Sequence, residues 1–163
     1  MKTISKTLLS TLIVCFAFGA GFIAPAAIAK KPDTLVVDGY DQKAMDAAIA
    51  RARSEIESFK KELSKDDADS YSVKAPISDR GQTEHFWLSD VVFKDGTFSG
   101  VIANQPGIVR NVKMGQKWQI KQSEISDWMY TRGEKIHGGY TIDPLLATMG
   151  KDQAQAMRAR LVR

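Results

Sequence analysis

The sequence contains a single cysteine, and this scarcity excludes several kinds of chemistry. Cys15 lies inside an uncharged apolar segment near the N-terminus, so a chain that begins after that segment has no thiol. Disulfide bonds, cysteine nucleophiles and thiolate metal sites are then excluded. An exported protein without disulfides must rely on its hydrophobic core, which is typical of the bacterial envelope rather than of small cross-linked scaffolds.

The N-terminal segment lacks charge between Lys6 and Lys30, and it ends in the small-x-small pattern Ala27-Ile28-Ala29. A basic start, an apolar run and a small-residue end predict a secretory signal peptide over residues 1–29. The apolar run is also about long enough to span a bilayer, so a retained anchor helix is the alternative. With cleavage, we expect a periplasmic or secreted protein that keeps no stable membrane anchor.

The remaining chain has little excess charge of either sign. Residues 1–29 carry two of the 23 basic residues and none of the 19 acidic residues, which leaves a net charge of +2 on residues 30–163. Bulk charge therefore gives no support to a partner such as nucleic acid or an anionic membrane.

Apolar residues recur at steps of three and four from Asp41, which is a suitable N-cap. This spacing predicts one amphipathic helix over about residues 41–64. The acidic stretch "SKDDADSYS" follows; it lacks the glycine and the closing glutamate of a calcium loop, so it is interpreted as a polar turn. The apolar positions of the helix are Met45, Ile49, Ala52, Ile56, Phe59 and Leu63.

The rest of the chain has the pattern of β structure. The segments "EHFWLSDVVFK" and "TFSGVIAN" flank Asp95-Gly96, a pair typical of two-residue hairpin turns. Turns are predicted at Pro106-Gly107 and Gly115, followed by one long strand or two short ones, a last short strand in "IHGGYTI", and a helical close. These features predict one α+β domain over residues 30–163: an N-terminal amphipathic helix packed on a mostly antiparallel β-sheet, with a short C-terminal helix.

The stretch "SEISDWMYTRG" places Asp127 among isoleucine, tryptophan, methionine and tyrosine. An unpaired carboxylate costs several kcal/mol to bury, so a buried Asp127 must accept hydrogen bonds from backbone N–H groups or from a basic side chain. His85, Arg110 and Arg132 are the candidate basic partners. The acid either ties down a neighbouring turn or takes part in a functional site.

The sequence lacks the motifs of familiar enzymes. His85 and His137 are isolated: they belong to no HExxH motif and have no cysteine near them. No metal site is therefore expected, and no cofactor is expected either. No G-x-S-x-G elbow marks a nucleophile among the serines. Carboxylates at Glu84, Asp90, Glu124 and Asp127 have no spacing that favours a glycosidase pair. The aromatic residues on the strands are interpreted mainly as core.

Several runs together resemble a known family: "MDAAIARARSEIESF", "YSVKAPISDRGQTEHFWLSDVVFKDGTFSGVIANQP" and "ISDWMYTRGEKIHGGYTI". In this order they are similar to the YegJ-like bacterial family known as domain of unknown function 2314, over about residues 34–146. The resemblance supports the fold and implies no activity; some relatives resemble accessory or immunity-type proteins. The most specific positions are Glu84-His85, Trp87, Gly100, Asn104, Pro106, Asp127 to Tyr130 and Gly138 to Thr141.

Two functional hypotheses follow. The first is a non-catalytic binding module of the envelope that grips a peptide or a partner protein, because aromatic and hydrogen-bonding groups occur without a plausible nucleophile. The alternative is an envelope hydrolase that uses His85 and Asp127 as an acid–base pair. The candidate binding residues are His85, Trp87, Asn104, Asp127, Trp128, Tyr130 and Tyr140.

Overall fold

The structure is a computed structural model that describes residues 39–163. The predicted signal peptide, residues 1–29, lies outside the described residues. No helix within residues 39–163 is long and apolar enough to cross a membrane. The helices are α1 (Gln42–Ser54), α2 (Ile56–Lys65), α3 (Ile142–Leu145) and α4 (Lys151–Arg160). The strands are β1 (Ser70–Asp79), β2 (Gln82–Lys94), β3 (Thr97–Ile102), β4 (Lys117–Lys121), β5 (Asp127–Arg132), β6 (Lys135–Gly138) and β7 (Leu161–Val162).

The region predicted as one helix contains two, α1 and α2, which meet at Glu55. The Asp41 side chain accepts a hydrogen bond from the backbone N–H of Ala44 at 3.1 Å, as expected of an N-cap. Glu55 leaves the helical conformation at φ −100° and ψ 11°. The break carries no glycine or proline, and the carboxylate of Glu55 instead binds Arg51 and Tyr140. A contact with the distant residue Tyr140 therefore accompanies the break, and hydrophobic periodicity does not report such a contact.

The sheet has seven strands in the order β4-β3-β2-β1-β5-β6-β7. Every neighbouring pair is antiparallel except β6 and β7, which are parallel. A mostly antiparallel sheet with helices makes the described chain an α+β structure, in agreement with the predicted class. The hairpin at Asp95-Gly96 is confirmed, with φ of 48° and 76° at the two turn residues.

Two β predictions needed the structure to decide them. The segment before Ile125 and the segment after it form two short strands, β4 and β5, separated by a 3-10 turn over Gln122–Glu124. The predicted polar turn "SKDDADSYS" is shorter than expected, because β1 begins within it at Ser70. Tyr71 is buried, and its hydroxyl donates to the carbonyl of Glu62 at 2.9 Å. The end of this polar segment therefore belongs to the sheet, where Tyr71 is packed.

The main core lies between α1, α2 and one face of the sheet. Phe59 of α2 stacks on Trp128 of β5, with ring centroids 5.2 Å apart. Val73 pairs with Trp128 across β1 and β5, and Ala75 pairs with Phe86 across β1 and β2, so these buried side chains share the helix-covered face. Side chains alternate along a strand, which puts the intervening residues on the opposite face. We call that second surface the outer face, defined by Lys74, Pro76, His85 and Trp87.

Candidate functional site

Asp127 is 0% exposed, and its carboxylate accepts four hydrogen bonds. The backbone N–H groups of Trp128 and Tyr140 donate to Oδ1 at 2.8 and 3.2 Å. The backbone N–H and the hydroxyl of Thr141 donate to Oδ2 at 2.8 and 2.7 Å. Burial raises the pKa of Asp127, and the bonds from Thr141 and Trp128 oppose that shift. The carboxylate thus ties the segment after β6 to the start of β5.

Two glycines bring this segment to the carboxylate. Gly138 and Gly139 have φ of 76° and 65°, a region that favours glycine. A Cβ on Gly138 would lie 2.4 Å from the carbonyl oxygen of Trp128, so the chain approaches β5 more closely than any side chain permits. The N–H of Gly139 donates to that same oxygen at 2.8 Å. The double glycine of "HGGY" is therefore the reason that residues 140 and 141 reach Asp127.

None of the three candidate basic partners of Asp127 binds it. Arg132 pairs with Glu62 and Asp67 at 2.9 and 2.5 Å. Arg110 donates its backbone N–H to Asp79, and the His85 ring bonds a serine. Three backbone N–H groups and one hydroxyl bind the acid instead, and backbone donors were the other possibility open from sequence. Three of the four donors belong to residues 140–141, and the glycine pair before them was the one sequence signal for this segment.

The cation nearest to this network is Lys74, which sequence analysis did not single out. Lys74 lies directly across from Asp127 in the β1–β5 register. Its Nζ donates to the hydroxyl of Thr141 at 3.1 Å and lies 5.5 Å from the centroid of the Trp87 ring. Burial lowers the pKa of Lys74, and the charge of Asp127 partly offsets the effect. Lys74, Thr141 and Asp127 form one chain of polar contacts that ends at the outer face.

His85 is exposed on the outer face, and its Nδ1 lies 2.8 Å from the hydroxyl of Ser126. That hydroxyl also lies 3.3 Å from the carbonyl of Lys74, and when it donates there it accepts from Nδ1, which is the tautomer with the proton on Nδ1. Partial burial of the ring, together with the charges of Lys74 and Arg53, lowers the pKa of His85 to about 4. The ring is neutral near pH 7. In that tautomer Nε2 is an acceptor, and no hydrogen bond within residues 39–163 involves it.

Trp87 and Asn104 do come together, although only one of them offers a recognition surface. The carboxamide of Asn104 accepts a hydrogen bond from the backbone N–H of Trp87 at 2.9 Å, and the carbonyl of Trp87 accepts from Ala103 at 2.8 Å. Asn104 therefore continues the pairing of β2 beyond the end of β3. It holds the Trp87 backbone in place, and the Trp87 ring remains half-buried beside Lys74.

Trp128, Tyr130 and Tyr140 lie in the main core, apart from His85 and Trp87. Trp128 donates its indole N–H to the carbonyl of Ala52 at 2.8 Å. The rings of Tyr130 and His137 stack at 4.6 Å. The hydroxyl of Tyr140 donates to Glu55, and burial together with this bond raises the pKa of Tyr140 to about 12. The candidate residues do not line one groove, since these three rings pack beneath the helices.

Glu84 holds a loop. Its buried carboxylate accepts hydrogen bonds from the backbone N–H groups of Gly107 and Ile108 at 2.9 Å, and from Val109 at 3.3 Å. Glu84 and Asp127 thus each bind backbone amides of a different loop, and neither carboxylate is free for glycosidase chemistry. The turn at Pro106-Gly107 was the sequence signal for this loop, but nothing indicated its partner.

The arrangement for hydrolysis is not formed in the described chain. His85 makes no hydrogen bond to Asp127, whose carboxylate is fully enclosed. Ser126, the hydroxyl beside His85, is 2% exposed and cannot meet a substrate. Residues 39–163 contain no group of three or more histidine, cysteine, aspartate or glutamate side chains placed to hold a metal ion. The exposed polar and aromatic groups of the outer face remain as the candidate site.

Comparison with known proteins assigns the chain to a family. Residues 42–161 match the model described as "Uncharacterized protein conserved in bacteria (DUF2314)". The chain belongs to the DUF2314 family. Among its relatives is the uncharacterized protein YegJ of Escherichia coli strain K12, which is 57% identical over 142 residues, covering 87% of this chain and 93% of that protein. The resemblance noted from the sequence is thereby confirmed.

A second relative matches less of the chain. The putative ankyrin repeat protein NMB1133/NMB1171 of Neisseria meningitidis serogroup B is 32% identical over 85 residues, which is 50% of this chain and 34% of that protein. No solved structure matches the chain significantly. The comparisons establish an uncharacterized bacterial family, and functional argument therefore returns to the geometry of the site.

Proposed function

We propose that this DUF2314 protein is an exported, non-catalytic binding module of the bacterial envelope. It binds a peptide or a partner protein through Lys74, His85 and Trp87 on the outer face. The observation that carries the proposal is the pairing of a half-exposed indole with an ammonium and an exposed neutral imidazole on two adjacent central strands.

The sheet presents these three groups in a defined geometry. Lys74 pairs with Trp87, and Pro76 pairs with His85, in the register of β1 and β2. Both strands lie in the interior of the sheet order, so each is held on two sides. Ser126 fixes the His85 ring and Asn104 fixes the Trp87 backbone. A site supported in this way loses little conformational entropy when a partner binds.

The chemistry of the outer face suits recognition. Tryptophan supplies a large apolar contact area and is enriched among residues that dominate binding energies. The neutral His85 offers an acceptor, and Lys74 offers donors and a positive charge. Nucleophilic catalysis would need an accessible hydroxyl beside a base, whereas the hydroxyl beside His85 is enclosed. These properties support binding over hydrolysis.

Export rests on the sequence of residues 1–29, which has the order of segments found in signal peptides. The test is fractionation of cells that express the full chain beside a variant lacking residues 1–29. The proposal expects the full chain in the periplasm or medium and the shortened chain in the cytosol. Equal distribution of both chains would refute export.

The binding role is tested by affinity capture from an envelope extract with the tagged full chain, followed by titration of each purified partner. Trp87→Ala should weaken binding by about tenfold or more, as truncation of a central interface tryptophan does. Val92→Ala is the matched control, because Val92 is a surface residue of the same strand with 61% exposure. If a partner binds both variants with the same affinity as the wild type, the binding surface lies elsewhere.

A further inference from the structure

Lys74 is a largely buried cation without an acidic partner. None of the salt bridges among residues 39–163 includes it, and its ammonium makes one hydrogen bond, to the hydroxyl of Thr141. The proton of that hydroxyl is donated to Asp127, so Thr141 serves Lys74 only as an acceptor. An ammonium has three N–H donors, and two of them find no partner inside the described chain.

The acid nearest to Lys74 does not use the free N–H donors of its ammonium. The charge of Asp127 partly offsets the cost of burying Lys74, but the four hydrogen bonds to this carboxylate all come from other donors and it forms no salt bridge with Lys74. The other charged or titratable groups that share this electrostatic environment are Arg53 and His85. Burying a cation without a partner is costly, and such groups are normally paired. The local charge is therefore complementary to an anion brought from outside the chain.

We propose that the outer-face site takes a carboxylate of an acidic peptide segment, which pairs with the Lys74 ammonium beside the Trp87 ring. This inference rests on the proposed binding function and specifies the chemistry of the ligand. The carboxylate accepts the unused N–H donors of Lys74, and the aliphatic part of the acidic side chain packs on the indole.

His85 distinguishes a peptide from a free inorganic anion. In the tautomer with the proton on Nδ1, its Nε2 accepts a hydrogen bond from a ligand that carries a donor. A peptide carries backbone N–H groups at a distance from its side-chain carboxylates, whereas the O–H donors of inorganic phosphate lie on the same small tetrahedron as its acceptor oxygens. His85 is a diagonal neighbour of Lys74 in the β1–β2 register, at a spacing that one dipeptide unit spans. An acidic peptide therefore satisfies both groups together.

The test is an NMR titration of the full chain with acetyl-tetraglutamate amide, acetyl-tetraglutamine amide and inorganic phosphate. The glutamate peptide should shift the indole resonance of Trp87 and the side-chain resonances of Lys74 and His85, and the glutamine peptide should not. Equal shifts with the glutamine peptide, or shifts with phosphate alone, would overturn the inference. This comparison uses the wild-type chain, so it does not depend on the folding of a variant.

Variants then assign the charge and separate the two proposals. Lys74→Met should weaken binding of the glutamate peptide by about tenfold or more. Lys117→Met removes an exposed lysine of β4 and should leave the affinity for this peptide unchanged. Equal loss in both variants would indicate non-specific attraction and refute the site. If a captured envelope partner is lost with Trp87→Ala but retained by Lys74→Met, the carboxylate inference fails alone; if Trp87→Ala also retains it, the outer-face function fails as well.

Discussion

Thr141 donates two hydrogen bonds to a single carboxylate oxygen of Asp127, from its backbone N–H at 2.8 Å and from its hydroxyl at 2.7 Å. The Thr141 hydroxyl also accepts a bond from Lys74 at 3.1 Å. One threonine therefore joins an enclosed acid to a cation on the outer face. The acid is a structural support for the region in which we propose binding.

Replacing Asp127 with asparagine should lower the free energy of unfolding by about 3 kcal/mol, because one acceptor becomes an N–H₂ group facing backbone donors. Urea denaturation measures the change. Asp143→Asn is the matched control, since Asp143 forms an exposed ion pair with Arg163, and its loss should cost less than about 1 kcal/mol. A similar cost for both variants would show that Asp127 is not a central support.

Gly138→Ala should destabilise the fold far more than Gly96→Ala. Both glycines have φ of 76°, so alanine meets the same backbone strain at each position, about 1 kcal/mol. Only at Gly138 would the new Cβ also meet the Trp128 carbonyl oxygen, at 2.4 Å, whereas Gly96 has open space. We expect a total cost of about 3 kcal/mol or more at Gly138. Thermal denaturation of the two variants measures this difference. Equal losses of stability in Gly138→Ala and Gly96→Ala would contradict the prediction.

His85 should titrate with a midpoint near pH 4, which NMR of its ring C–H resonances can follow. A histidine with a lowered pKa in the folded state takes up its proton more readily when unfolded. Its contribution to stability is complete above the unfolded value of 6.5 and is lost as the pH falls through the folded value near 4. Between these values the wild type should lose more stability than His85→Gln. Parallel pH profiles for the two proteins would contradict this.

Glu84→Gln should loosen the loop after Pro106. The carboxylate of Glu84 accepts from the backbone N–H groups of Gly107, Ile108 and Val109, and a carboxamide provides one acceptor where there were two. Amide hydrogen exchange at these positions should accelerate, with a loss of about 2 kcal/mol in stability. Glu134→Gln, at an exposed turn, is the control and should leave the loop amides unchanged. Unaltered exchange in Glu84→Gln would refute its role.

Part of the site was accessible from sequence because it depends on local chemistry. The mixture of apolar neighbours around Asp127 predicted that a buried acid would need several donors, and the structure buries it with four. The pair Gly138-Gly139 indicated a turn with a backbone conformation that favours glycine. The sequence did not separate the core aromatics from those of the outer face. Trp87 and Trp128 both follow alternating patterns, and alternation alone does not say which face of the sheet the helices cover.

The helix break at Glu55 and the contacts of Lys74 had no local signal. Glu55 continues a helical pattern, and its departure accompanies bonds to Arg51 and Tyr140, the latter from a segment after β6. Lys74 occupies an ordinary polar position in "SVKAP". Its importance comes from contacts with Thr141, which lies 67 positions further along the chain.

The sequence by itself determined the α+β class, the hairpin at Asp95-Gly96 and the family, because turn dihedral angles, residue alternation and residue identities are properties of neighbouring positions. Only the tertiary structure decided which donors enclose Asp127 and which side chains share the outer face. Those contacts depend on strand register and on the path of the chain after β6, which bring distant residues within bonding distance. The lone cation beside Trp87 is visible only once that register exists.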